Sequence, residues 1–277
     1  MGGLAHAGGP GRPTITSGVS ERIAGSRTQG TGWWAPVLAA IALVALVLAV
    51  VDDGPPLSAP AAAVPAATEF ECPRPLPGVV SRGPAGARAI ALTFDDGPSD
   101  QTAHVLRALR RHDARATFFP LGREIPGREH LLRRAVREGH EIGNHSTTHA
   151  ELPTAPDIEA TSMLIERATG RAPCLFRPPA GMVSDQLVRT ARRLGMTTVT
   201  WDVDPADWSY QDPAALRERV LAAAAPASIV LMHDGGGDRT GTAASISALI
   251  EELRERGYEL VTVSELLGRA ATLVPAS

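Results

Sequence analysis

The chain has 277 residues, 44% of them hydrophobic, and a formal net charge of -3 from 27 basic and 30 acidic residues. That length holds one large domain or two small ones around a sizeable core, and the balance of charge offers no basic surface to nucleic acid. All 27 basic residues are arginine, which with the abundant Ala, Gly and Pro marks a GC-rich genome rather than a function.

Residues 1–32 are rich in Gly, Ser and Thr and read as a disordered cytoplasmic tail. Trp33–Val51 is an uncharged run of 19 residues. As a helix it is about 28 Å long, close to the hydrocarbon core of a bilayer. Arg12, Arg22 and Arg27 precede it and Asp52 and Asp53 follow, so the tail stays inside and the remainder lies outside. The competing reading is a cleaved signal peptide, whose apolar core is usually about 7–15 residues. The expectation is a single-pass membrane anchor with an extracytoplasmic domain, or a secreted protein if the segment is cleaved. Residues 52–87 are rich in Pro and Ala with little periodicity and read as a tether. Extended, they reach on the order of 100 Å at about 3.1 Å per residue.

From residue 88 to 270 short apolar runs alternate with amphipathic stretches. Ala89–Phe94, Ala116–Phe119, Glu141–Asn144, Cys174–Arg177, Thr197–Trp201, Ser228–His233 and Glu259–Val263 read as strands. Helical spacing marks Gln101–His112, Arg128–Arg137, Asp157–Ala168, Ser184–Leu194, Pro213–Ala224 and Ala243–Arg256. About seven βα units imply an α/β fold with a parallel sheet, closed as a barrel or open and doubly wound.

Reactive residues fall just after these apolar runs. Asp95 and Asp96 end the first, with Gly97-Pro98 turning the chain. Asp-Asp-Gly-Pro also stands at Asp52–Pro55 with no ligands after it, so the tetrapeptide alone proves only a turn. His145 and His149 follow the third run, and a helical turn would put both imidazoles on one face. Solvated loop histidines are the alternative for such a pair. Arg177 follows the fourth run, Asp202–Trp208 the fifth, and His233 ends the sixth. A barrel gathers all such ends on one face. One carboxylate and two histidines make a three-ligand set for a divalent metal, zinc above all, with cobalt or another ion also suited. A partly buried Arg177 needs an anion. His6, His104, His112, His130 and His140 read as surface residues, and Gly235–Gly237 as a flexible loop without a phosphate-loop signature. Cys72 and Cys174 are the only cysteines; a disulfide between them and two buried thiols both stay open.

Five motifs together resemble those of the NodB-type polysaccharide deacetylases of carbohydrate esterase family four: Thr93–Pro98 (TFDDGP), His145–His149 (HSTTH), Arg177–Gly181 (RPPAG), Asp204–Trp208 (DPADW) and Leu231–His233 (LMH). The resemblance implies a distorted (β/α) barrel of about seven units over residues 88–270, preceded by the one transmembrane helix. It implies that Asp96, His145 and His149 hold the metal, that Asp95 is the base activating a metal-bound water, and that Arg177 orients Asp95. His233 is then the acid, tuned by Asp207, while Trp208 and Leu231 line a pocket for the acetyl methyl. The oxyanion is shared by the metal and a main-chain N–H of the Arg177 motif. The family usually has Tyr where this chain has Ala180, which bears on substrate preference. The implied reaction is hydrolysis of N-acetyl groups from a GlcNAc-containing cell-wall glycan, peptidoglycan first, with no obligatory protein partner. An O-deacetylase of glycans such as xylan and a catalytically dead glycan-binding module are the alternatives.

Overall fold

A computed structural model describes residues 72–268. The expected tail (1–32), membrane helix (33–51) and Asp52–Pro55 repeat lie outside the described residues. Among the described residues no helix is long and apolar enough to cross a membrane.

Strands and helices alternate. The first half runs β1 (Val79–Val80), β2 (Ala89–Asp95), α1 (Thr102–Arg111), β3 (Thr117–Phe119), α2 (Glu129–Arg137), β4 (Glu141–Ile142) and α3 (Ala155–Thr169). The second runs β5 (Leu175–Phe176), α4 (Asp185–Arg193), β6 (Thr197–Val199), α5 (Pro213–Ala223), β7 (Ile229–His233), α6 (Thr240–Glu255), β8 (Glu259–Leu260) and α7 (Val263–Gly268). Every residue of β2 is buried, as a central parallel strand covered on both faces requires. Its Phe94 stacks on Phe118 of β3 at 5.2 Å between ring centroids. The helix ends follow local chemistry. Ser184 and Asp212 cap α4 and α5 by accepting main-chain N–H groups, and Gly170 closes α3 at φ +74°.

All strand pairs are parallel. One sheet has the order β4-β3-β2-β7, with β8 paired to the start of β2, and the other has the order β1-β6-β5. Isolated parallel bridges connect them: Asn144 with Phe176 beyond β4, and Val203 with Val230 beyond β6. The regular ladders stop at these single bridges, so the fold is a parallel α/β arrangement whose strand ends all point the same way.

The folded unit begins earlier than the composition change at residue 87 suggests. Val79 and Val80 pair with Thr198 and Val199, Gly83 N–H donates to the Ala227 carbonyl at 2.8 Å, and Cys72 is disulfide-bonded to Cys174. Residues 72–87, read as part of the tether, thus include contacts with the domain; a two-residue strand leaves no periodicity for sequence to show. His140, expected at the surface, is 5% exposed. Its Nδ1 accepts the Ala116 N–H at 3.3 Å, and burial pushes its pKa down to about 4.

Candidate active site

The site lies where the parallel strands end. Asp95 is the last residue of β2, and its register partners are Phe119 on β3 and His233 on β7. Adjacent strands lie about 4.8 Å apart, so the sheet itself sets Asp95 beside His233. Asp96 follows in the left-handed region at φ +70°, and its N–H donates to the Phe119 carbonyl at 3.2 Å. Of the seven non-glycine residues with positive φ among the described residues, five stand in the five motifs or between their members: Asp96, Ser146, His149, Ala180 and Ala206. Such conformations cost roughly 1–2 kcal/mol each, and the packed scaffold concentrates them where side chains must be aimed.

Arg177 is fully buried. Its Nη1 donates to Asp95 Oδ1 at 2.8 Å and to Thr93 Oγ1 at 2.7 Å, and Nη2 donates to the Thr200 carbonyl at 3.1 Å. The guanidinium lies over the Phe119 ring at 4.2 Å. Burial lowers its pKa from the usual value, with Asp95 opposing; arginine remains charged regardless. Asp95 Oδ1 is thus fixed, and Oδ2 faces His145 Nε2 at 3.6 Å.

Asp96 Oδ1 stands 3.6 Å from His145 Nε2 and 3.7 Å from His149 Nε2. These separations are too long for hydrogen bonds. Two atoms bound to one tetrahedral ion at about 2.1 Å stand roughly 3.4 Å apart, so the three groups fit a shared divalent cation. Two further observations agree. Asp96 Oδ1 is buried without a hydrogen-bond partner. His145 Nδ1 lies 2.8 Å from the Arg177 carbonyl, which can only accept, so Nδ1 carries the proton and Nε2 presents its lone pair. Burial lowers the His145 pKa, with Asp95 and Asp96 opposing, and a neutral ring is the ligating form. The two rings meet edge-on at 5.1 Å. They do so from a loop with positive φ at Ser146 and His149, where a helical turn was expected. Asn144 holds that loop: its Oδ1 accepts the Ser146 N–H at 2.8 Å while its Nδ2 donates to the Ile158 carbonyl at 2.8 Å.

Asp207 is fully buried. Its Oδ1 accepts from His233 Nδ1 at 2.6 Å, and its Oδ2 accepts the His233 N–H and the Thr242 hydroxyl, each at 2.8 Å. Burial alone would lower the His233 pKa. The Asp207 bond and charge, with Asp95 and Asp96 behind them, outweigh it and raise the value. Leu231 is buried on β7, while Trp208 is 59% exposed, a buried floor and an open wall. Ala180 is exposed at φ +51°.

The residues not foreseen are mostly supports. Thr93 and Thr242 buttress Arg177 and Asp207; Thr93 was readable as the residue two before Asp95, on the same strand face. Asp234 is buried beside the Asp95–Pro98 turn, and burial pushes its carboxyl up to about 7, Thr102 opposing and Asp95 and Asp96 adding. Gly235–Gly237, expected to be a flexible loop, lies against Asp96.

A parallel α/β fold thus gathers carboxylates, imidazoles and a buried arginine, the groups of acid–base and metal-assisted chemistry, at its strand ends. The polysaccharide deacetylase family profile matches residues 82–199. A peptidoglycan-N-acetylglucosamine deacetylase of Bacillus cereus is 38% identical over 192 residues, 66% of this chain and 90% of that protein. A chitooligosaccharide deacetylase of Sinorhizobium fredii is 38% identical over 65% of this chain and 92% of its own. Among solved structures, a CE4 family pseudoenzyme of Bacillus anthracis matches with a TM-score of 0.65 and 31% identity over 69% of each chain. The chain belongs to the polysaccharide deacetylase family, and is a hydrolase of that class.

Proposed function

We propose that this protein removes N-acetyl groups from GlcNAc-containing cell-wall glycan, peptidoglycan first, with a divalent ion, zinc above all, at Asp96, His145 and His149. The observation that carries the reading is the position of His145 Nε2, 3.6 Å from both Asp96 Oδ1 and Asp95 Oδ2, which sets a ligand site directly beside a carboxylate outside it. A bound divalent ion supplies Lewis acidity and a water of lowered pKa.

The chain's own groups do the rest. Asp95, with Oδ1 held by Arg177, takes the proton of the attacking water on Oδ2. Protonated His233, its Nδ1–H on Asp207, gives its Nε2 proton to the amide nitrogen as the C–N bond breaks, leaving acetate and a free amine. Between Arg177 and Gly181 the main-chain donors are few. Pro178 and Pro179 have none, Arg177 N–H donates to the Asn144 carbonyl, and Gly181 N–H to the Pro178 carbonyl. That leaves the Ala180 N–H as the oxyanion donor, so alanine in the usual tyrosine place keeps the donor and removes only a ring. Leu231 floors the acetyl site and Trp208 flanks it. The bridges Asn144–Phe176 and Val203–Val230 support a distorted barrel closing around these groups.

For location, we infer a catalytic domain outside the cell, anchored by residues 33–51. The 19-residue uncharged run and the Cys72–Cys174 disulfide, which suits an oxidising compartment, support this. The test of function is acetate release by the full-length protein from N-acetylchitooligosaccharides, peptidoglycan and acetyl-xylan. Release from the first two that is lost in Asp95→Asn is expected. Release from acetyl-xylan alone would establish the O-deacetylase instead, and undiminished activity in Asp95→Asn would overturn the mechanism.

A further inference from the structure

The carboxylate of Asp96 has to present Oδ1 to two imidazoles from a backbone in the left-handed region, and no hydrogen bond holds that oxygen. Something else must fix the side chain's rotation. Against it runs Asp234–Gly237, which leaves the end of β7. The two segments fit without clearance. A Cβ on Gly236 would fall on Asp96 Oδ2, with Cγ at 3.1 Å and Cβ at 3.2 Å. One on Gly235 would fall on the Asp96 carbonyl, with Gly97 N at 2.8 Å. In the other direction, a Cβ on Gly97 would meet the Asp234 carboxylate, 2.6 Å from its Cγ. Three missing side chains thus let two loops interlock.

The glycine segment is itself anchored. The N–H groups of Asp234 and Gly235 donate to the Asp95 carbonyl at 3.0 and 3.3 Å. Arg239, 7% exposed, donates from Nη2 to the Gly236 carbonyl at 3.0 Å and from Nη1 to the Asp238 carbonyl at 2.8 Å. A buried guanidinium spent on main-chain carbonyls stiffens the turn it spans.

We propose that Gly236, held by Arg239, is a positioning residue for the metal centre: its bare Cα is the wall that sets the Asp96 carboxylate plane. A methyl group there would push Oδ2 by several tenths of an ångström, whereas metal–ligand distances tolerate about 0.2 Å. The wall acts on the ligand, because the three nearest atoms to a Cβ on Gly236 are Oδ2, Cγ and Cβ of Asp96. The inference rests on Asp96 being a metal ligand.

The test is Co²⁺ binding to the full-length protein, read by chelator competition and by the visible absorption of the bound ion, which reports coordination geometry independently of turnover. Gly236→Ala is expected to weaken Co²⁺ at least tenfold and to alter the absorption bands. The control is Gly170→Ala, at a similar φ of +74° but with nothing within 4 Å of the added Cβ; it carries the same backbone strain and keeps wild-type affinity and bands. Arg239→Gln, which adds no clash, is expected to weaken Co²⁺ about threefold or more. Folded Gly236→Ala with wild-type affinity and spectrum overturns the proposal. Should that variant not fold, Arg239→Gln decides, and wild-type binding by it overturns the proposal equally. Wild-type protein that takes up no Co²⁺ would refute the ligand role of Asp96 instead.

Discussion

Replacing Asp207 by asparagine removes one negative charge from beneath His233 while keeping the side chain's size and one of its oxygens. Asp207 is fully buried and accepts hydrogen bonds of 2.6, 2.8 and 2.8 Å from His233 Nδ1, His233 N–H and the Thr242 hydroxyl. Opposite charges about 4 Å apart attract by roughly 4 kcal/mol at an effective dielectric constant of 20. Burial opposes that gain, so the net hold is that of a hydrogen bond to a charged group, roughly 1.5–3 kcal/mol. The sign follows from the charge. Without its carboxylate the imidazolium deprotonates at lower pH, so the acid form is lost earlier and the alkaline limb of kcat/KM moves to lower pH. At neutral pH the rate falls roughly 10²–10⁴-fold. The assay is acetate release from an N-acetylchitooligosaccharide across the pH range, with circular dichroism and metal content measured on the same preparation. An Asp207→Asn protein of wild-type fold and metal content whose alkaline limb does not move would refute the acid role of His233.

Four further outcomes are expected. Chelation abolishes acetate release and Zn²⁺ or Co²⁺ restores it, whereas Asp96→Ala stays inactive with either ion; restoration of that variant would remove Asp96 from the ligand set. Serine at Cys72 frees a loop of 102 residues and costs about 2–5 kcal/mol, seen as a lower denaturant midpoint that reductant does not lower further. His140 has its pKa depressed to about 4 from 6.5, so the unfolded chain takes up a proton first as pH falls. Stability is full above pH 6.5 and drops by about 3 kcal/mol down to pH 4; His140→Phe flattens that slope in denaturant titrations, and an unchanged slope sinks the assignment. Trp208→Ala, at an exposed ring, shifts stability by less than about 0.5 kcal/mol but lowers kcat/KM for glycan, and equal kcat/KM would take Trp208 out of the site.

The strands that carry chemistry were legible because each is an apolar run halted by a charged or turn-forming residue, and β2 with its Asp-Asp-Gly-Pro end is the clearest case. Helix α7 was hidden for the converse reason. Leu260, Val261 and Val263 extend a strand-like run, but Thr262 and Glu265 exchange hydrogen bonds with each other's N–H groups at 3.2 and 2.9 Å. That capping box, Thr-x-x-Glu, starts a helix and was readable. Nothing local could show that Asp95 and His233 are register partners, since pairing joins residues far apart in the chain. The role of Gly235–Gly237 was invisible too, because glycines read as mobile until a neighbour is seen to occupy the space a side chain would take. The histidine pair stands out by its i, i+4 spacing although the helical turn behind that rule is absent; positive φ at Ser146 and His149 brings the two rings together instead.

The pairing of Asp95 with His233 across β2 and β7 also bears on how this architecture can diversify. Under the proposed mechanism the separation of base and acid is a property of the main-chain ladder that pairs Asp95 with His233. Ala180, Met182, Trp208 and Tyr210, all exposed, take no part in the ladders. Under the proposed function the segments that carry them can change, and with them the glycan that is met, while the acid–base distance stays as the ladder sets it.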